Sequence, residues 1–332
     1  MSVSPTSTRS ARVCLNWLLR LPVLLAAVAA GAAEPADNLT PVTLNVGFVS
    51  ASFQNVNRAD AESAFGVLAK TVGRQRGYCV TTRTKIFETA DEIEAAVKTG
   101  GVNVAIVDSW KYVSMNPAGY MTPCFVTSEQ GQAAKKYLLL TRRDSGLNTP
   151  AALRGKTIVE LEVANSNAGR AWLDTLLLEN HWGAQTDFFG GVTFASKPAL
   201  TVLPVFFSKM PACLVDQTSF ELMSELNPQV GKELQAIAVS EPYVDNVVCL
   251  STNGWPSEKN RQETIDILAN LHKEPAGQQI LTLFKVGPMV PFRNDQLETV
   301  RQLRARFERL QKDRQERAET GLNAQIPTAD SR

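Results

Sequence analysis

The amino-acid sequence predicts a two-lobed α/β protein carried behind an export signal. Three observations lead there. Short β-branched and apolar runs alternate with segments of helical spacing, which is the pattern of β/α units. That pattern runs from Val42 to Val107, meets a charged, Gly- and Pro-containing stretch at Arg143 to Pro150, and restarts at Thr157. The last strand, Val244 to Thr252, is followed only by helical patterns, so the chain leaves one lobe, builds a second and returns. With 332 residues, 44% of them hydrophobic, it can fill two cores.

Each element has its own signal. Val42 to Val49 alternates and is β-branched, and reads as the first strand. Ala64, Phe65, Leu68, Ala69 and Val72 recur at helical spacing and Gly73 closes the run. Tyr78 to Ile86 is a second strand. Ala90 to Lys98 is a helix with Asp91 and Glu92 in its first turn and Gly100-Gly101 as its stop. Val102 to Val107 is almost continuously apolar, as in a sheet covered on both faces, and ends in Asp108, Ser109 and Trp110. Lys136 to Arg142 is the next strand.

In the second half, Thr157 to Glu160 is a strand that enters the polar turn Asn165, Ser166, Asn167, Ala168, Gly169. A helix with Trp172, Leu173, Leu176 and Leu177 on one side follows. Val192 to Ala195 is a strand, Pro198 to Phe207 a helix, and Cys213 to Val215 a strand ending in Asp216-Gln217. Ser219 to Leu226 is a helix stopped by Asn227-Pro228, and Leu234 to Ser240 is a further strand. Helices over Pro256 to His272, Pro275 to Phe284 and Asn294 to about Glu319 complete the chain. The last carries Leu297, Val300, Leu303, Phe307 and Leu310 on one stripe, which suits packing on its own domain better than a dimer seam.

The N-terminus does not fit the globule. Arg9, Arg12 and Arg20 flank or precede the apolar run Leu21 to Ala30, and small residues follow, the layout of a cleaved secretory signal too short for a confident membrane span. The expected division is residues 1–33 as signal peptide, 34–140 with 245–320 as the first lobe, 141–244 as the second, and 321–332 as a frayed tail. Loss of the signal removes three arginines and no acid, leaving 31 basic against 33 acidic residues. Such a balance gives no general pull toward nucleic acid or an anionic membrane. Four cysteines remain in a compartment that permits disulfides, with three possible connectivities. Proximity along the chain favours Cys79 with Cys124 and Cys213 with Cys249, the alternative being buried free thiols.

Open α/β sheets bind ligands beyond the carboxyl ends of their strands. Ser50, Ser52 and Phe53, then Asp108, Ser109 and Trp110, then Asn165 to Gly169, then Asp216 and Gln217 all follow strands directly, so four polar strand ends converge on one inter-lobe cleft. The turn before a helix start also offers free N–H groups at the positive end of a helix dipole, which suits an anion. His181 and His272 are far apart in the pattern, no cysteine spacing resembles a metal or redox site, and no dinucleotide or phosphate-loop signature occurs. Nothing in the sequence builds a nucleophile, a metal centre or a cofactor site, so an enzyme is not expected. Asp108 and Asp216 could serve general acid/base chemistry, but acids at strand ends more often cap the next helix.

The segments VTLNVGFV, VNVAIVDSW, LRGKTIVELEVANSNAG and MPACLVDQTSFELMSELNP, in this order behind a signal peptide, resemble the phosphate/phosphite/phosphonate family of periplasmic substrate-binding proteins of ABC transporters. The resemblance spans roughly Val42 to Phe292. It implies the type II periplasmic binding protein fold, two β/α lobes joined by crossover strands, closing on a ligand by a hinge near Lys136 to Thr141 and Glu241 to Val248. It also implies a small anionic or polar ligand, an ABC permease as partner and a periplasmic location. In that family an Asn-Ser-Thr-Ser-Gly-like turn holds the ligand's phosphonate. Here it reads Asn165, Ser166, Asn167, Ala168, Gly169, which keeps the amides and one hydroxyl. Where some members carry an acid for a ligand amine, this chain has Ser196-Lys197-Pro198, which implies a ligand other than a zwitterionic aminophosphonate. The alternative reading is a periplasmic sensor that uses the same lobes to signal to a membrane receptor.

Overall fold

A computed structural model describes residues 39–49, 56–115, 117, 119–129, 131–161 and 167–323. The chain opens with β1 (Thr40–Val49), α1 (Arg58–Gln75), β2 (Tyr78–Phe87), α2 (Ala90–Lys98), β3 (Val104–Asp108), α3 (Ser109–Tyr112) and β4 (Met121–Val126). The helix starts follow capping chemistry. Asn57 accepts from the N–H groups of Ala59 and Asp60, and Thr89 with Glu92 forms a reciprocal capping box at α2. Short β5 (Ala134–Lys135) then leads into β6 (Tyr137–Arg142).

The second pass is β7 (Thr157–Leu161), α4 (Asn167–Glu179), α5 (Gln185–Phe188), β8 (Gly191–Ala195), α6 (Pro198–Phe206), β9 (Ala212–Asp216), α7 (Gln217–Leu226), α8 (Pro228–Glu233) and β10 (Leu234–Val239). The chain returns through β11 (Tyr243–Val244) to β12 (Asn246–Ser251), and ends in α9 (Glu258–Ala269), α10 (Pro275–Leu283), β13 (Val290–Pro291) and α11 (Glu298–Asn323).

Two large sheets result, ordered β2-β1-β3-β12-β4-β13 and β8-β7-β9-β6-β10, with a two-stranded sheet of β11 and β5 beside them. Each has a parallel core, β1 with β2 and β3 in one, β7 with β8 and β9 in the other. Beside each core runs one strand of a crossing segment in the antiparallel sense, β12 against β3 and β6 against β9. The restart legible in the sequence is therefore a repeated three-strand unit, and the two segments that pass between the sheets pair with each other as β5 and β11. The sheet changes at Lys135 to Tyr137, slightly before the boundary expected at residue 140.

Three features depart from the sequence expectations. β4 has no alternating pattern because it carries Pro123, which cannot donate to a ladder. The register against β12 shifts at Val248/Cys249, opposite Pro123. The C-terminal helix, expected to belong with residues 245–320 to the first lobe, packs on α4 of the second and on α3. Val300 and Leu303 are fully buried in the same cluster as Leu173 and Leu177. Neither expected disulfide forms, and all four cysteines are free. Cys79 lies in β2 and Cys124 in β4, with β1, β3 and β12 between them. Four strand spacings at about 4.8 Å put them about 19 Å apart, whereas a disulfide needs Cα atoms within about 7 Å. Cys213 is in the second sheet and Cys249 in the first. The expected signal peptide and tail lie outside the described residues, apart from the helical end of α11.

Candidate functional site

The strand ends divide by what their side chains already do. Asp108 and Asp216 are both buried and both cap helices. Asp108 accepts from the Lys111 N–H at 2.9 Å; Asp216 accepts from the Ser219 N–H at 2.9 Å and its hydroxyl at 2.7 Å. Asp216 nevertheless faces the cavity between the lobes. Gln217 donates its backbone N–H to the Lys136 carbonyl at 2.8 Å and its side-chain amide to Glu221, tying α7 to the crossing segment. Ser109 is tied to the other crossing, its N–H to the Asp245 carbonyl at 2.7 Å and its hydroxyl to the carbonyl of Val244.

Trp110 packs edge-on against Phe307 of α11 at 5.5 Å between ring centroids, with the Arg304 guanidinium 5.0 Å from its ring, and does not line the cavity. Lys197 is exposed at the start of α6, while Ser196 and Pro198 beside it line the cavity. The polar turn expected through Gly169 is helical from Asn167 onward. Ala168 is buried, and Gly169 is needed for close approach, since a Cβ there would sit 2.6 Å from a ring carbon of Tyr137. No acid occupies the first turn of α4, which leaves the positive end of its dipole unopposed by a carboxylate on that turn. Ser50, Ser52, Phe53, Asn165 and Ser166 lie outside the described residues.

The sequence did not point to the charged cluster where the crossing strands meet. The Lys135 ammonium, its side chain 9% exposed, lies 2.5 Å from Asp245 and 3.3 Å from Glu129. Tyr137 donates its hydroxyl to the other oxygen of Asp245 at 2.9 Å. Burial alone would lower the lysine pKa. The neighbouring Asp245, with Tyr137, Asp216 and Glu129, outweighs this and raises it well above the ordinary lysine range, so the group stays charged. Tyr137 thus links the start of α4, through Gly169, to the ion pair on the crossings. Asp245 lies within one of the two segments expected to hinge and Lys135 just before the other, but nothing in their 110-residue separation along the chain pairs them.

Glu129, Lys135, Asp216 and Asp245 border one cavity of about 390 Å³, which neither Tyr137 nor Ala168 and Gly169 of the expected turn line. Leu161, Ser196, Asp216 and Ser219 come from the second lobe, Lys135, Asp245 and Asn246 from the crossings, and the wall continues into the first lobe along β1. Among the described residues no cluster of three or more His, Cys, Asp or Glu could hold a metal ion, and no helix is long and apolar enough to cross a membrane.

Residues 53–297 match the family model of the periplasmic substrate-binding protein of phosphonate ABC transporters. The chain belongs to this family. Its members work with ABC permeases, are periplasmic and are not enzymes, and the binding protein is a solute-binding component by the same membership. A sensing role is not favoured. A comparison with curated proteins finds no match. Solved structures share the fold. A Xanthomonas citri protein bound to ATP is 16% identical with a TM-score of 0.59, the alignment covering 81% of this chain and 98% of that one. The binding protein component of an ABC phosphonate transporter from Pseudomonas aeruginosa is 15% identical with a TM-score of 0.56, covering 81% and 87%. A Prochlorococcus marinus protein in complex with methylphosphonate is 16% identical with a TM-score of 0.52, covering 79% and 96%.

Proposed function

We propose that the binding protein captures a small anionic or polar ligand between its lobes and presents it to an ABC permease. The observation that carries this is the cavity itself, walled by both lobes and by the Lys135–Asp245 pair on the crossing strands. A ligand there touches both sheets at once, so it stabilises the closed arrangement and raises its population. The anion would lie against the N-terminal turn of α4, with residues 165–169 supplying N–H groups, while the Lys135 charge is taken up by Asp245 and Glu129. Asp216 and Ser219 border the same space and would orient hydroxyl or N–H donors of the ligand. Lys197 would meet the ligand's negative end on closure. Phosphonates are the first candidates through the family and the methylphosphonate-bound relative.

The test is a thermal-shift panel of phosphonates, phosphite, phosphate, sulfonates and carboxylates. A ligand that binds the folded state alone at 100 times its Kd stabilises by about 2.7 kcal/mol, a shift of several degrees. At least one anion is expected to give that shift. A flat panel overturns the anionic reading.

A further inference from the structure

Protein cores are packed as densely as organic crystals, with few voids larger than a water molecule. The first sheet follows this on one face, where Ile93, Val97, Val102 and Val107 are buried together. The opposite face does so only in part: Val46, Phe48, Val104, Val248 and Leu250 are buried together and Phe48 stacks on Phe284 at 5.3 Å between centroids, yet space remains beside them. Between β1, β2 and β3 and the helices α1, α9 and α10, the cavity described above runs on from the cleft as an apolar channel. Leu44, Leu68, Val80, Ile106, Ile267 and Phe284 all line it, and all are only partly buried although they lie between sheet and helices. Both Val42 and Phe48 border it, so the space extends along β1 for about 20 Å at 3.3 Å per residue. Its cleft end is polar and charged, with Lys135 among Asp245, Glu129 and Asp216, and Asn246 beside them.

A void this large and this apolar, joined to a charged mouth, matches an amphiphile better than a one-carbon anion. Apolar cavities stay dry and take up apolar molecules, and about 390 Å³ lies within the range of ligand sites. We infer that the ligand is an anionic amphiphile with a single alkyl chain, its head group in the cleft and its chain in the first-lobe channel along β1. The anionic head rests on the function proposed above; the chain site rests on the channel alone.

Calorimetric titration of the mature protein with methyl-, hexyl- and decylphosphonate below their micellar concentrations, with decanol as the headless control, tests this. Affinity should rise with chain length, by up to about fourfold in Kd for each buried methylene, from ~0.8 kcal/mol per CH₂. Ala69→Phe, which puts a ring into the channel, should abolish the chain-length gain and leave methylphosphonate binding unchanged. Ile267→Trp serves the same purpose should the first variant fail to fold. Equal Kd values for methyl- and decylphosphonate overturn the inference while leaving the anionic cleft intact. Decanol binding as tightly as decylphosphonate, with no methylphosphonate binding, overturns the anionic head of the inferred ligand. Absence of binding by all four probes overturns the inference, while the anion panel described above decides the cleft separately.

Discussion

Glu160 is a buried carboxylate whose ionisation bears on stability within the ordinary pH range. It lies on β7, one residue from the end of the strand that precedes α4, with its side chain 1% exposed. The Arg170 guanidinium is 3.1 Å away, yet neither carboxylate oxygen has a hydrogen-bond partner. Burial pushes its pKa up to about 7, Arg170 partly opposing and Asp174 adding to the rise. The folded state thus prefers the protonated acid, a preference fully present below the unfolded value near 4.5 and lost as pH rises through about 7. Glu160→Gln should accordingly raise the urea midpoint relative to the parent at pH 8 and change it little at pH 5, a difference of about 3 kcal/mol. An equal effect at both pH values would remove this assignment.

Asp245 makes the opposite case, a charge that is needed. Asp245→Asn leaves the Lys135 ammonium buried without its main partner, and should cost about 3 kcal/mol by denaturant unfolding. The double change Lys135→Met with Asp245→Leu should recover most of that loss. At this scale the sequence was legible where chemistry is local. Strand-end Asp108 and Asp216 could be read as caps, because a cap involves only the next three residues. The Lys135, Asp245 and Tyr137 cluster could not, because only the pairing of β5 with β11 brings it together.

Among the elements, α11 is held by packing against both α3 and α4. Its apolar stripe was evident from Leu297, Val300 and Leu303, but not its partner, since periodicity shows which face is buried and not what buries it. The helix packs on α4 and α3 together, and ion pairs link Arg314 to Asp187 at 2.7 Å and Arg306 to Glu179 at 3.8 Å. Exposed pairs of this kind contribute little; the buried leucines and valine hold the helix in place. Leu303→Ala should cost about 3 kcal/mol, read as a fall in the urea midpoint, whereas Arg314→Ala should stay within about 0.5 kcal/mol. The missed strand β4 has a related explanation. Pro123 breaks its pattern, and only β12 and β13 on either side show that the segment is a strand.

For the whole molecule, the two-lobed plan was legible because it repeats. Two β/α passes and a final return strand leave few other topologies, and the strand orders β2-β1-β3 and β8-β7-β9 bear this out. The disulfide pairs were not legible, since nearness along the chain says nothing about distance across a sheet. The channel beneath α1 and α9 was equally hidden, because a void is a property of how helices stand on a sheet and not of any residue's type. The proposed function requires that the ligand is held between the lobes and closes them. A crystal structure of the mature protein grown with methylphosphonate tests it most directly. It should show the phosphonate at the start of α4 with contacts from both lobes near Lys135. Density for the ligand on one lobe alone, or on the outer surface with the cleft empty, would contradict it.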